Sequence, residues 1–192
     1  NQIVESFREH DVTLLHGVTS SGKTEIYAHL IQRVLAEGRQ VLYLVPEIAL
    51  TTQLTNRLRK MFGDKLVIYH SKFSDNERVE IWNTLLDSRE PRLVLGGRSS
   101  IFLPFADLGL VIVDEEHETS YKQYDPAPRY HARNAAIVLA SMHGAKTLLG
   151  TATPAIETYF NARQGKYGLV ELKKRFNDVE LPEIIPVDVK EM

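Results

Sequence analysis

Two short stretches carry the residue types that phosphate chemistry uses. Gly17-Val18-Thr19-Ser20-Ser21-Gly22-Lys23-Thr24 follows the apolar run Val12-Thr13-Leu14-Leu15-His16 and opens a helical pattern near Lys23. It matches the spacing G-x-x-x-x-G-K-[ST] in the context that spacing needs, a buried strand before and a helix after. Glycines let the backbone wrap close to an anion. Successive N–H groups and a helix N-terminus present positive potential, and a lysine supplies a mobile charge for the outer phosphates. The Thr24 hydroxyl can join the shell of a magnesium ion. The second stretch, Asp114-Glu115-Glu116-His117, follows the apolar run Leu108-Gly109-Leu110-Val111-Ile112-Val113. An aspartate leaving a strand can hold magnesium, usually through water, while the next carboxylate can orient and deprotonate the attacking water. Simple kinases built on such a loop do not require the second carboxylate, so Glu115 points to hydrolysis. The pattern predicts a nucleoside-triphosphate site in which Gly17 to Thr24 cradle the phosphates and Thr24 with Asp114 face the metal. Lys23, Asp114 and Glu115 form the expected catalytic set.

The elements that must position these residues alternate along the chain. Apolar periodicity predicts helices over 23–37 (Ile26, Tyr27, Leu30, Ile31, Val34 and Leu35 on one face), 49–62, 75–87, 132–142 and 155–164. Ser74 with Glu77 three residues on reads as a capping box for the third of these. Strands are expected over 12–16, 40–45, 66–69, 92–95, 109–113 and 146–149; 41–45 and 109–113 are apolar without alternation, as when both faces are covered. The order predicts an α/β domain with a mostly parallel central sheet and helices on both faces, carrying the phosphate loop (P-loop) after its first predicted strand. In a parallel sheet all C-terminal strand ends lie on one edge, where ligands bind. The unusual segments 17–24, 46–51, 96–105, 114–117 and 150–154 each follow a predicted strand, so they are expected to meet there. The stretch 173–192, with Pro182, Pro186 and mixed charge, reads as a tail or linker beyond a domain spanning 1–172.

Bulk properties bound the rest. The chain has 192 residues, 43% hydrophobic and 25% charged, with a formal net charge of −2, so any nucleic-acid surface is a local patch. It has no cysteine, which excludes disulfides, thiolate zinc sites and cysteine nucleophiles within it. No apolar run approaches membrane-spanning length and no secretory signal pattern opens the chain, so no membrane partner is expected and a cytoplasmic location is the default.

The ordered stretches GVTSSGKT, PEIALT, GGRSSIFLPF, DEEH and GTATP together resemble the first motor lobe of a superfamily 2 helicase, which implies a RecA-like P-loop NTPase fold. The run Ser120-Tyr121-Lys122-Gln123 and the run Arg129-Tyr130-His131-Ala132-Arg133 are similar, more closely, to the primosomal replication-restart DNA helicases, over about residues 12 to 172. Gly97 stands where that family usually has Thr, Ser100 where Ala is common, and Thr151 where Ser is usual. The resemblance implies ATP and Mg2+ as cofactors, single-stranded and forked DNA as partners, and 3′ to 5′ translocation. It also implies contacts with other replication-restart proteins and with single-strand binding protein. Zinc is implied only in a second-lobe region outside this chain, as is the arginine that completes the transition state.

On that resemblance, Pro46, Glu47 and Thr51 place a helix N-terminus and a hydroxyl against the DNA backbone, and Arg98 and Ser99 add a second backbone contact. The segment 121–133 interleaves aromatics with cations: Tyr121, Tyr124 and Tyr130 can stack bases, while Lys122, Arg129 and Arg133 can neutralise phosphates. The residues leave open whether Arg129 and Arg133 instead pair with Glu116 or Glu118. His117 can link nucleotide state to the segment holding Thr151 and Thr153 by hydrogen bonding. Two rival readings are another superfamily 2 translocase and a nucleotide-binding switch without translocation.

Overall fold

Apolar runs become strands here, and most are followed by a helix that returns the chain to the same starting edge. The computed structural model describes residues 2–18, 22–86 and 88–172. The helices are α1 (Gln2–Glu9), α2 (Lys23–Ala36), α3 (Thr52–Phe62), α4 (Asp75–Leu86), α5 (Ala132–Met142) and α6 (Ile156–Arg163). The strands are β1 (Val12–Gly17), β2 (Gln40–Leu44), β3 (Leu66–Tyr69), β4 (Leu93–Gly96), β5 (Leu108–Asp114), β6 (Lys146–Thr151) and β7 (Gly168–Leu172). They form one seven-stranded sheet in the order β3-β4-β2-β5-β6-β1-β7. Every pairing is parallel.

β2 is buried along its whole length and β5 as far as Val113, which explains why neither alternates polar with apolar residues. On one face Tyr27, Ile31 and Leu58 pack with Val41, Ile112 and Leu148. On the other, Leu85 of α4, Ala132, Ala136 and Ala140 of α5 and Ala162 of α6 pack with Leu42, Val111 and Leu149. The alanines of α5 recur every four residues on one helical face, so this helix lies close against the sheet. Helices therefore cover both faces, as the alternation predicts.

Some boundaries differ from expectation. The helix expected over 49–62 is a 3-10 turn at Glu47–Ala49 followed by α3, which starts at Thr52. Thr51 sets that start: its Oγ1 accepts a hydrogen bond from Leu54 N–H at 3.2 Å. The capping box at α4 is formed, with Ser74 N–H donating to Glu77 Oε2 at 2.8 Å and Glu77 N–H donating to Ser74 Oγ at 3.4 Å. Two elements were not expected, α1 and β7. Both are short, and both are held by tertiary pairing: β7 adds to the edge of β1, and Gly168 leaves room for Ser6 of α1, whose hydroxyl a Cβ there would overlap. Residues 173–192 lie outside the described residues.

Register brings the strand ends to a common rim. Leu44 lies beside both Gly96 and Val113, Asp114 beside Gly150, and His16 beside Thr151. The segments leaving β1, β2, β4, β5 and β6 therefore emerge together.

Candidate active site

At the start of α2, Gly22 has a φ of 81°, a left-handed conformation that glycine adopts without steric cost. The expected cradle residues Thr19, Ser20 and Ser21 lie outside the described residues. Lys23 donates from Nζ to the carbonyls of Gly17 at 2.9 Å and Val18 at 3.4 Å. Thr24 follows in the first turn of the helix. The Lys23 charge stabilises the ionised forms of both Asp114 and Glu115. Two stretches far apart in sequence thus share one electrostatic environment at the rim.

Asp114 ends β5 and is surrounded by donors. Its Oδ1 accepts from the Tyr27 hydroxyl at 3.0 Å and from Glu115 N–H at 3.1 Å, and its Oδ2 from the Tyr43 hydroxyl at 3.4 Å. The Tyr121 hydroxyl donates to the Asp114 carbonyl at 2.6 Å. Burial pushes the Asp114 carboxyl above the usual carboxylate range, against the pull of Tyr27, the Glu115 N–H, Lys23 and Tyr43. Burial first, and the Asp114 charge second, hold all three tyrosines well above the ordinary phenol value, so they remain neutral donors. The contacts of Tyr43 and Tyr27 with Asp114 were missed by sequence reasoning; a polar-tipped aromatic on the inner face of α2 was the available signal for Tyr27.

Glu115 has a φ of 46°, the one positive φ of a non-glycine among the described residues. Such a backbone costs on the order of 1–3 kcal/mol and persists only where the surroundings impose it. Burial, then the neighbouring Asp114, raises the Glu115 carboxyl above its usual range, while Lys23 and His117 oppose the rise. His117 Nδ1 stands 3.6 Å from Glu115 Oε2 and 2.7 Å from Thr151 Oγ1, and its Nε2 is 3.5 Å from Thr153 Oγ1. Thr153 N–H donates to Thr151 Oγ1 at 3.0 Å. The histidine therefore touches both the acidic turn and the segment leaving β6.

Glu116, one of the two acids the sequence offered as an alternative partner for Arg129 and Arg133, is fully buried. Its Oε2 accepts from Arg133 Nη1 at 2.8 Å and from Thr158 Oγ1 at 2.8 Å, and its Oε1 from Ala155 N–H at 2.7 Å. This corrects the expectation of a phosphate contact at Arg133. The side chain is only 9% exposed and its charge is spent on Glu116. Tyr121 needs the same correction: at 1% exposure its ring cannot stack a base.

The other aromatics and cations of the segment are exposed or half-buried. Arg98 donates from Nη1 to the carbonyls of Ser120 at 3.2 Å and Lys122 at 3.1 Å, tying it to that segment, and Ser99 beside it is partly buried. Lys122 pairs with His131 in an isolated antiparallel bridge and donates from Nζ to the Arg129 carbonyl. Tyr130 meets Phe102 edge-on at 4.9 Å. Arg129 and Tyr124 are exposed, Tyr124 at 68%. Pro46 is buried, whereas Glu47 and Thr51 are exposed. A groove of about 330 Å³ runs along Val45, Pro46, Glu47, Arg98, Lys122 and Tyr124. Gly97 borders the same region, and a Cβ there would sit 3.0 Å from Glu47 Cγ, so a threonine at this position requires Glu47 to move.

No group of three or more His, Cys, Asp or Glu among the described residues is arranged to hold a metal. Magnesium at a triphosphate needs less, taking one or two carboxylates and completing its shell with phosphate oxygens and water. Asp114, a carboxylate at the rim close enough to feel Lys23, which Thr24 follows along α2, fits that requirement.

A parallel sheet with a glycine-lysine turn after β1 and an acidic turn after β5 defines a RecA-like P-loop lobe. The family profile described as DEAD/DEAH box helicase matches residues 1–161, and the chain belongs to that family. Among curated relatives it is similar to the replication restart protein PriA of Bacillus subtilis (strain 168), with 49% identity over 183 residues covering 95% of this chain and 22% of the relative. It is also similar to the replication restart protein PriA of Rickettsia felis, with 49% identity covering 92% of this chain and 27% of the relative. The chain thus spans about a quarter of the relatives it matches. Among solved structures, the helicase domain of Pyrococcus furiosus Hef superposes with a TM-score of 0.60 at 18% identity, covering 90% of this chain and 38% of that one. RecG bound to a three-way DNA junction superposes at 0.59 and 22% identity, covering 83% of this chain and 20% of that one. These two similarities concern the fold. No helix among the described residues is long and apolar enough to cross a membrane.

Proposed function

We propose that this chain is the ATP-binding motor lobe of an ATP-dependent 3′–5′ DNA helicase that acts in restarting replication forks. The observation that carries the reading is the gathering of Lys23, Asp114 and Glu115 at one rim, with the Lys23 charge felt by both carboxylates. The relatives named for replication restart add support.

In this reading the loop N–H groups and Lys23 bind the phosphates of ATP, and Thr24 and Asp114 hold Mg2+. Bound there, the ion would supply positive charge to the phosphates. Glu115 accepts the proton of the attacking water. The single-strand path runs over Pro46, Glu47, Thr51, Arg98, Ser99, Lys122, Tyr124, Arg129 and Tyr130. Tyr121, His117, Thr151, Thr153 and the buried Glu116–Arg133 pair connect that path to the acidic turn. Forked DNA, other restart proteins and single-strand binding protein are the proposed partners of the complete polypeptide.

The test is ATP hydrolysis by the complete gene product with and without saturating single-stranded DNA. Strong stimulation that disappears in Lys23→Ala is the expected result. Hydrolysis indifferent to DNA would replace the translocating motor with a nucleotide-binding switch.

A further inference from the structure

Asp114 is held from outside its own turn by two side chains that the proposed chemistry does not use. Tyr27 lies on α2, one helical turn past Lys23, and donates to Oδ1 at 3.0 Å; Tyr43 lies in β2, just before Pro46, and donates to Oδ2 at 3.4 Å. Both side chains are fully buried, and their rings meet edge-on at 5.5 Å. Space for the first hydroxyl is provided on the neighbouring strand. Gly150 is the register partner of Asp114, and a Cβ there would overlap the Tyr27 hydroxyl.

A buried phenol requires an acceptor, and a buried carboxylate requires donors. Here each carboxylate oxygen takes one hydroxyl, and the two hydroxyls come from different elements. Such an arrangement restrains rotation of the carboxylate about its Cβ–Cγ bond. Donors behind a metal-bearing group orient it in the same way in metal sites generally.

We propose that Tyr27 and Tyr43 are positioning residues that orient the Asp114 carboxylate for magnesium. The inference rests on the reading of Asp114 as the metal-holding residue of a nucleotide site. It adds a structural consequence. The orientation of the metal-bearing group depends on the helix that starts at Lys23 and on the strand that leads to Pro46, so displacement of either element alters the magnesium site.

The test uses Tyr27→Phe, Tyr43→Phe and Asp114→Asn in the complete gene product. Binding of a fluorescent ADP analogue is followed as Mg2+ is titrated, and again in EDTA. In Tyr27→Phe the Mg2+ concentration for half-maximal enhancement rises about tenfold, the lower end for loss of an outer-shell partner. Tyr43→Phe, with the longer bond, gives a smaller rise. Affinity in EDTA and the thermal midpoint stay near wild type, which separates a lost orientation from a damaged fold. If one variant does not fold, the other carries the test. Wild-type Mg2+ dependence in the folded phenylalanine variants, with Asp114→Asn impaired, overturns the inference alone. Wild-type Mg2+ dependence in Asp114→Asn overturns the nucleotide-site reading beneath it.

Discussion

Lys23, Asp114 and Glu115 act on one another's charge, which sorts their roles. Lys23 opposes the burial that raises both carboxyls, so its loss would remove the proposed phosphate partner and also leave two neighbouring acids without that opposing charge. Lys23→Ala is expected to abolish nucleotide binding in a fluorescence titration. Glu115→Gln keeps the shape of the side chain but cannot accept a proton. Its expected phenotype is normal binding with turnover lowered about 100-fold or more, in the range general bases contribute. A base works only when ionised, and burial with Asp114 raises the Glu115 carboxyl. Hydrolysis should therefore fail on acidification at a pH above the ordinary glutamate value of about 4.3. A kcat–pH profile at saturating nucleotide whose acid limb sits at that ordinary value would remove Glu115 from the role.

Between the acidic turn and the outward-facing loop, the proposed coupling would pass through buried contacts of whole elements. Glu116 ties the turn after β5 to Arg133 at the start of α5 and to Ala155 and Thr158 at the start of α6. Removing one partner of a buried pair leaves an uncompensated charge, typically a loss of about 3–5 kcal/mol. Arg133→Ala should therefore lower stability by that order in urea unfolding. Arg129→Ala should leave stability unchanged while weakening single-stranded DNA binding and reducing its salt slope by about one. If Arg133→Ala unfolds normally and only DNA binding suffers, the assignment of the two arginines is reversed. Tyr121 joins the 119–121 turn to the Asp114 carbonyl. Tyr121→Phe is expected to keep basal ATPase and lose DNA stimulation, read as the ratio of the two rates.

At the scale of the molecule, the sheet presents its chemistry along a single rim, and curated relatives extend well beyond the length of this chain. An arginine supplied from another lobe can be worth orders of magnitude in phosphoryl-transfer rate. The 192-residue chain alone is expected to hydrolyse ATP slowly with or without DNA; robust unwinding by it would overturn the motor-lobe reading. The apolar runs of β2 and β5, the four-residue spacing of alanines in α5 and the glycine-lysine turn are local patterns. Local patterns were enough for the alternation, the parallel sheet and the meeting of distant segments at one edge. They were not enough for α1 and β7, whose few apolar residues become informative only when β1 lies beside them. Nor did they distinguish Arg129 from Arg133, because two cations four residues apart look alike until one faces Glu116 and the other faces water. Tyr27 and Tyr43 read as core aromatics for the same reason. Periodicity records which way a side chain points within its own helix or strand; its partner is chosen by packing between elements distant in sequence, and the Tyr27–Asp114 and Arg133–Glu116 bonds exist only once those elements have met.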